Sequence, residues 1–163
     1  MKGKIASERS IISLRGLKSM TMSLPPYMSE NDKVILFDGV CKLCNFWSGF
    51  IIKHDTQNIF KLASVQSPEG QSILAYFNYP TDRFDTMLYI EGSKAYQQSD
   101  AFLNVVSQLG LPWKLFSVFK CLPAFIRNWG YDRIALNRYF LFGKYDHCIL
   151  PSAEHQSRFL TGN

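Results

Sequence analysis

The stretch 34-VILFDGVCKLCNFWSGFII-52 changes periodicity partway along. Val34 to Phe37 is a short uninterrupted run of β-formers, the mark of a buried strand. "DGVC" follows as a turn. Beyond it Leu43, Phe46, Trp47, Phe50 and Ile51 recur at i, i+3, i+4, i+7 and i+8, the stripe of an amphipathic helix packed on a core. The helix is therefore expected to begin near Cys41. Cys41 and Cys44 then share its first turn.

Working outward, "IFKLASV" (Ile59 to Val65) predicts a second strand, and "SPEG" offers Ser67 as N-cap with Pro68 at the first position of a helix over 68–77. Thr86 to Ile90 and Lys94 to Gln98 predict two strands joined by a turn at Gly92, an antiparallel hairpin. A helix capped by Ser99 or Asp100 carries Ala101, Phe102, Val105, Val106 and Leu109 and stops at Gly110 and Pro112. The order β, α, β, α, β, β, α implies a parallel first pair with a right-handed crossover and a hairpin extending the same sheet. That is the layout of a thioredoxin-like α/β domain in three layers. Residues 112–142 extend it with two further helices broken near Pro123.

Length and composition fit one such domain: 163 residues, 47% hydrophobic. The net charge of +5 is unevenly placed, with +4 over residues 1–29 and +5 over residues 111–144. No apolar run is long enough to span a membrane. Residues 1–29 read as a basic tail or a misassigned start, with an organellar transit peptide as the alternative, and residues 30–160 as the domain. Four cysteines, unevenly spaced and without a secretory signal, point to a reducing compartment, the cytoplasm, or an organelle if the tail is a transit peptide.

Thiol-disulfide exchange needs a thiolate to attack and a second thiol to resolve the mixed disulfide. C-x-x-C supplies both, and a helix N-terminus stabilises the charge on the leading cysteine. Cys41 is thus the expected nucleophile, and Cys44, flanked by Leu43 and Phe46, the more buried, protonated resolving thiol. Asp38 supports the pair, either by relaying a proton from Cys44 through water or by capping the helix or holding the turn. Lys42 adds positive charge if it turns toward the sulfur. Two other readings stand beside the redox one: two cysteines packed in a core, and half a zinc site completed by Cys148 with His147, or by Cys121. Cys121 and Cys148 are otherwise read as packing, and His54 as a capping group at a helix C-terminus.

The segments "ILFDGVCKLCN", "LASVQSPEG", "DTMLYIEG", "SDAFLNV", "YDRIALNRYFLFGK" and "CILP" together resemble the DCC family of predicted thiol-disulfide oxidoreductases, over residues 33–160. The family takes its name from the Asp, Cys and Cys that stand here as Asp38, Cys41 and Cys44. The resemblance implies a thioredoxin-like fold and protein-disulfide oxidoreductase activity. Compared with ordinary thioredoxins, Val40 replaces Trp, Lys42-Leu43 replaces Gly-Pro, and Asp85 and Thr86 stand where a cis-proline would receive the substrate backbone. Asp85 and Thr86 are therefore candidate substrate contacts.

The expected chemistry uses no bound cofactor, because the electrons reside on sulfur. Its partners are a protein or small-molecule disulfide and an external redox partner, with no nucleic acid. The rival is a noncatalytic metal-binding or partner-binding module on the same C-x-x-C. In the basic aromatic extension, helical spacing assigns the aromatics to the core and the cations to solvent, with adsorption to an anionic membrane surface as the alternative. Arg133 and Arg138 pair with Asp132 or reach the active-site carboxylates.

Overall fold

The computed structural model describes residues 24–82, 84–146 and 153–161. Strands β1 (Lys33–Phe37), β2 (Phe60–Ser64), β3 (Leu88–Glu91) and β4 (Lys94–Gln97) form one sheet in the order β2-β1-β3-β4. β1 runs parallel to β2, with Val34 opposite Lys61, and antiparallel to β3, with Val34 opposite Ile90. β3 and β4 close the hairpin at Gly92, whose φ of 57° a glycine tolerates best. This mixed α/β sheet is consistent with a thioredoxin-like fold.

Strand alternation sorts the core into two faces. Val34, Leu36, Ala63, Leu88 and Ile90 pack with Ile73 and Leu74 of helix α2 (Pro68–Tyr76). Ile35, Phe37, Phe60, Leu62 and Tyr89 pack with Ile51 of α1 (Lys42–His54) and with Ala101 and Val105 of α3 (Gln98–Val106). Met28, assigned to the tail from sequence, joins the first cluster. Residues 1–23 of the expected tail lie outside the described residues.

Ser67 caps α2 as expected, accepting the Gly70 N–H at 3.1 Å. A Cβ on Gly70 would stand 2.0 Å from the Ser64 carbonyl oxygen, so only glycine lets α2 start this close to β2. α3 departs from expectation. Its N-cap is Gln97, because Gln98 takes φ 52° and gives its N–H to the Thr86 hydroxyl, starting the helix directly off β4. Ser99 instead hydrogen-bonds Asn128.

The extension holds three helical pieces where two were expected: a 3₁₀ segment (Trp113–Cys121), α4 (Ala124–Ala135) and α5 (Arg138–Phe142). The break at Pro123 is present, and a second at Leu136–Asn137 turns Arg138 inward. The assignment of the aromatics to the core fails for most of the extension. Trp113 does pack, edge-on to Phe50 at 4.7 Å and beside His54. Phe125, Trp129 and Phe140 face outward, 74%, 63% and 91% exposed. The reason is that α4 meets α3 through polar groups: Arg127 pairs with Asp100 at 2.7 Å, and Gln98 donates to Asp132 at 2.8 Å. Cys121 is exposed, against its expected packing role.

Residues 159 and 160 run beside the free edge of β2, with the Leu160 N–H donating to the Leu62 carbonyl at 2.8 Å. Arg158 anchors this return by donating to buried Asp55, which also accepts the Ile59 and Phe60 N–H groups. Asp55→Ala leaves the Ile59 and Phe60 N–H groups without their acceptor and the Arg158 guanidinium without its counter-charge, though the guanidinium keeps the Phe60 carbonyl and Asn58 as acceptors. Denaturant unfolding is expected to show a loss of about 3 kcal/mol, within the range for breaking a buried pair; a change under about 1 kcal/mol would rule out a structural role.

Candidate active site

The chain leaves β1 at Phe37, turns through Asp38–Val40 and enters α1. Cys41 is the N-cap: its Sγ accepts the Cys44 N–H at 3.3 Å. Asp38 does not cap the helix, because the cysteine already does. Its Oδ1 accepts the Val40 N–H at 3.1 Å and the Gln66 side-chain amide at 2.8 Å, which fixes the turn. Its Oδ2 accepts from the Arg138 guanidinium at 3.1 Å and from the Tyr139 hydroxyl. Of the two arginines considered from sequence, Arg138 reaches the carboxylate, while Arg133 lies over the Trp129 ring and Asp132 pairs with Gln98.

Arg138 is a buried hub. It donates to the Phe84 and Asp85 carbonyls, both at 2.7 Å, and to the Ala135 carbonyl at 3.1 Å. It thereby ties the segment before β3 to the turn before α1. Thr86 is held separately: its hydroxyl donates to Tyr131 at 3.1 Å, and the Tyr131 oxygen also accepts the Met87 N–H. Asp38, Asp85, Thr86, Cys44 and Arg138 all line one cleft of about 340 Å³, whose walls are otherwise mainly apolar. Phe46, expected to face the core, is 71% exposed and lines the same cleft.

Accessibility of the two thiols is the reverse of the sequence expectation. Cys41 is 0% exposed, whereas Cys44 is partly exposed and faces the cleft. The cause is distant in sequence. Residues 143–145 cross over the start of α1, with the Lys42 N–H donating to the Gly143 carbonyl, the Tyr145 N–H donating to the Val40 carbonyl at 2.7 Å, and Cys41 bridged to Lys144. Lys42 leans over the Tyr145 ring as part of this strap.

The electrostatics separate the thiols in the expected direction. A hydrogen bond from the Cys44 thiol, helped by the Cys44 N–H and the Arg138 charge, lowers Cys41 to about 7 despite burial and the nearby Asp38. The same hydrogen bond, together with burial and the Cys41 charge, pushes Cys44 up. Burial opposes ionisation of Asp38, but hydrogen bonds from Tyr139, Gln66, Val40 and Arg138 outweigh it and hold the carboxyl below its usual range. Burial and the bond to Asp38 raise Tyr139 to about 12, so it remains a donor.

Gln66, Tyr131 and Tyr139 escaped the sequence reading of the site. Each lies within a segment quoted for the family resemblance, which was the available signal. Among the described residues no group of three or more His, Cys, Asp or Glu side chains could hold a metal. His147 and Cys148, named as possible zinc ligands, lie outside the described residues. His54 ends α1, its Nδ1 2.8 Å from the Phe50 carbonyl. No helix among the described residues is long and apolar enough to cross a membrane.

Residues 35–144 match the family described as DCC1-like thiol-disulfide oxidoreductase. The uncharacterized protein YuxK of Bacillus subtilis is 45% identical over 129 residues, covering 79% of this chain and 94% of that one. A chloroplastic DCC family protein of Arabidopsis thaliana is 33% identical over 124 residues, 74% of this chain and 72% of its own length. No solved structure matches. On the extent of the matched region and the coverage of both relatives, the chain belongs to the DCC1-like thiol-disulfide oxidoreductase family.

Proposed function

We propose that this chain is a protein-disulfide oxidoreductase on a thioredoxin-like scaffold, with Cys41 as nucleophile, Cys44 as resolving thiol and Asp38 as the carboxylate that positions the site. The observation carrying this reading is the Cys41 sulfur at the α1 N-cap, where it accepts the Cys44 N–H at 3.3 Å beside the second thiol. The Cys41 thiolate attacks one sulfur of a substrate disulfide, forms a mixed disulfide and expels the other sulfur as a thiolate, which takes up a proton. Consumption of the Cys41 charge removes a cause of the high Cys44 pKa. Cys44 then loses its proton, attacks the Cys41 sulfur and releases the second substrate thiolate. Two electrons pass to the substrate, and an external dithiol restores the pair.

Because Cys41 has no exposed surface, the 143–145 strap shifts before a substrate sulfur reaches it. The apolar cleft beside Cys44 accommodates an apolar side chain flanking the substrate half-cystine, with Asp85 and Thr86 along its border. This favours protein disulfides over small, highly charged ones. The working compartment is a reducing one, the cytoplasm or, as for the chloroplastic relative, an organelle.

Equilibration in redox buffers, with mass spectrometry locating the bond, is expected to reveal a reversible Cys41–Cys44 disulfide. Thiols that stay reduced between about −300 and −120 mV, or bind stoichiometric zinc, would instead support the noncatalytic module. Thiolate absorbance of the reduced protein should rise with a midpoint near 7. Since the folded pKa lies below the unfolded value of about 8.5, the Cys41 contribution to reduced-state stability is complete above that value and lost as pH falls through about 7. The raised Cys44 acts oppositely above about 8.5, where only the unfolded thiol ionises. A reduced state that gains stability between pH about 7 and about 8.5 is therefore the expected signature.

A further inference from the structure

We propose that the outward face of the C-terminal extension is a docking site for an anionic lipid membrane surface. The proposal is independent of the thiol chemistry and rests on the orientation of α4. In an ordinary surface helix the apolar stripe faces the protein and the polar face meets water. α4 segregates little apolar character of its own, and its polar groups are the ones that turn inward. Its Arg127, Asn128, Tyr131 and Asp132 make polar contacts with α3 and the segment before β3. Phe125, Ile126 and Trp129, at i, i+1 and i+4, share the opposite face and are exposed. The flanking elements continue this character, through Leu115, Val118 and Phe119 of the 3₁₀ segment and Phe140 and Leu141 of α5, all exposed.

Charge selects the occupant. Residues 111–144 contain six cations and one acid, Asp132; Arg127 and Arg138 turn inward to Asp100 and Asp38, which leaves four cations for the outer surface. Lys114, Lys120, Arg133 and Lys144 are exposed within the same segment as the outward aromatics. A second copy of the chain would bring two such segments together and repel. Nucleic-acid bases could stack on the aromatic rings but would leave the exposed aliphatic Leu115, Val118, Ile126 and Leu141 without partners. An interfacial helix has apolar and aromatic side chains on one face and cations able to reach anionic headgroups, and lies in the plane of the bilayer. Arg133, stacked over the Trp129 ring at 5.2 Å, places a cation directly on that face.

Sedimentation of the full chain with phosphatidylcholine vesicles, with and without phosphatidylglycerol, tests this. Binding is expected with the anionic vesicles, weakening as salt rises from about 0.1 M to about 0.5 M. Phe125→Asp combined with Trp129→Asp should reduce partitioning by about tenfold or more. Lys114→Glu combined with Arg133→Glu should abolish the preference for anionic lipid. Both variants alter outward side chains, and an unchanged melting temperature and Cys41–Cys44 reduction potential will show that the fold is intact. Absence of binding by the unmodified chain, or binding insensitive to both variants, overturns the proposal. So does concentration-dependent self-association abolished by the Phe125 and Trp129 changes, which would make the face a contact between copies.

Discussion

Cys41→Ser is expected to lower kcat/KM for a protein disulfide by about a thousandfold or more, because among the described residues no other sulfur combines low pKa with a resolving partner. Cys44→Ser should behave differently. The attack step survives, resolution fails, and a mixed disulfide between Cys41 and substrate accumulates. Intact-mass measurement of each variant with a disulfide-containing peptide separates the roles. The comparison matters here because the accessible thiol and the acidic thiol are different residues. An adduct on Cys44 in Cys41→Ser, formed as fast as the Cys41 adduct in Cys44→Ser, would show that access outweighs acidity and would reverse the assignment.

The second large effect is expected at Arg138. Arg138→Met removes the guanidinium from Asp38 and takes the shared donors from the Phe84 and Asp85 carbonyls. Breaking a buried ion pair costs about 3–5 kcal/mol, because the remaining charge is stranded away from water. Loss of the nearby positive charge also raises the Cys41 pKa, a readout that damage to packing alone would not move in a fixed direction. Arg138→Lys retains the charge but cannot reproduce the planar fork spanning the carboxylate and two carbonyls. It should restore the thiol acidity more fully than the stability. Adding Asp38→Asn to Arg138→Met removes the stranded charge, so the double variant should be less destabilised than the two single effects together predict. Additive losses would mean that the pair is not energetically coupled.

These outcomes depend on long-range contacts, and that is where the sequence was least informative. The β1 run, the α1 stripe, the Ser67–Pro68 start of α2 and the hairpin at Gly92 are local patterns, and each element appears close to its expected position. Cys41 and Cys44 at the head of α1 were legible for the same reason. The burial of Cys41 was not, because the strap that covers it comes from residues 143–145. The start of α3 was misplaced because a hydroxyl from Thr86, twelve residues earlier, captures the Gln98 N–H. In α4 the spacing of the aromatics pointed to a core face, yet the helix has too little apolar segregation to set which face turns inward. Polar partners on α3 decided that, against the usual preference.

Asp38 and Arg138 meet across 100 residues of chain. A protein is synthesised from its N-terminus, so the cysteine pair emerges well before either the guanidinium or the strap exists to influence it. A nascent chain thus carries Cys41 uncovered and without the full set of groups that acidify it. Arrival of α5 adds the charge that favours the thiolate, and the next few residues then close over the sulfur. Docking of α5 and of residues 143–145 thus exchanges access for reactivity at Cys41.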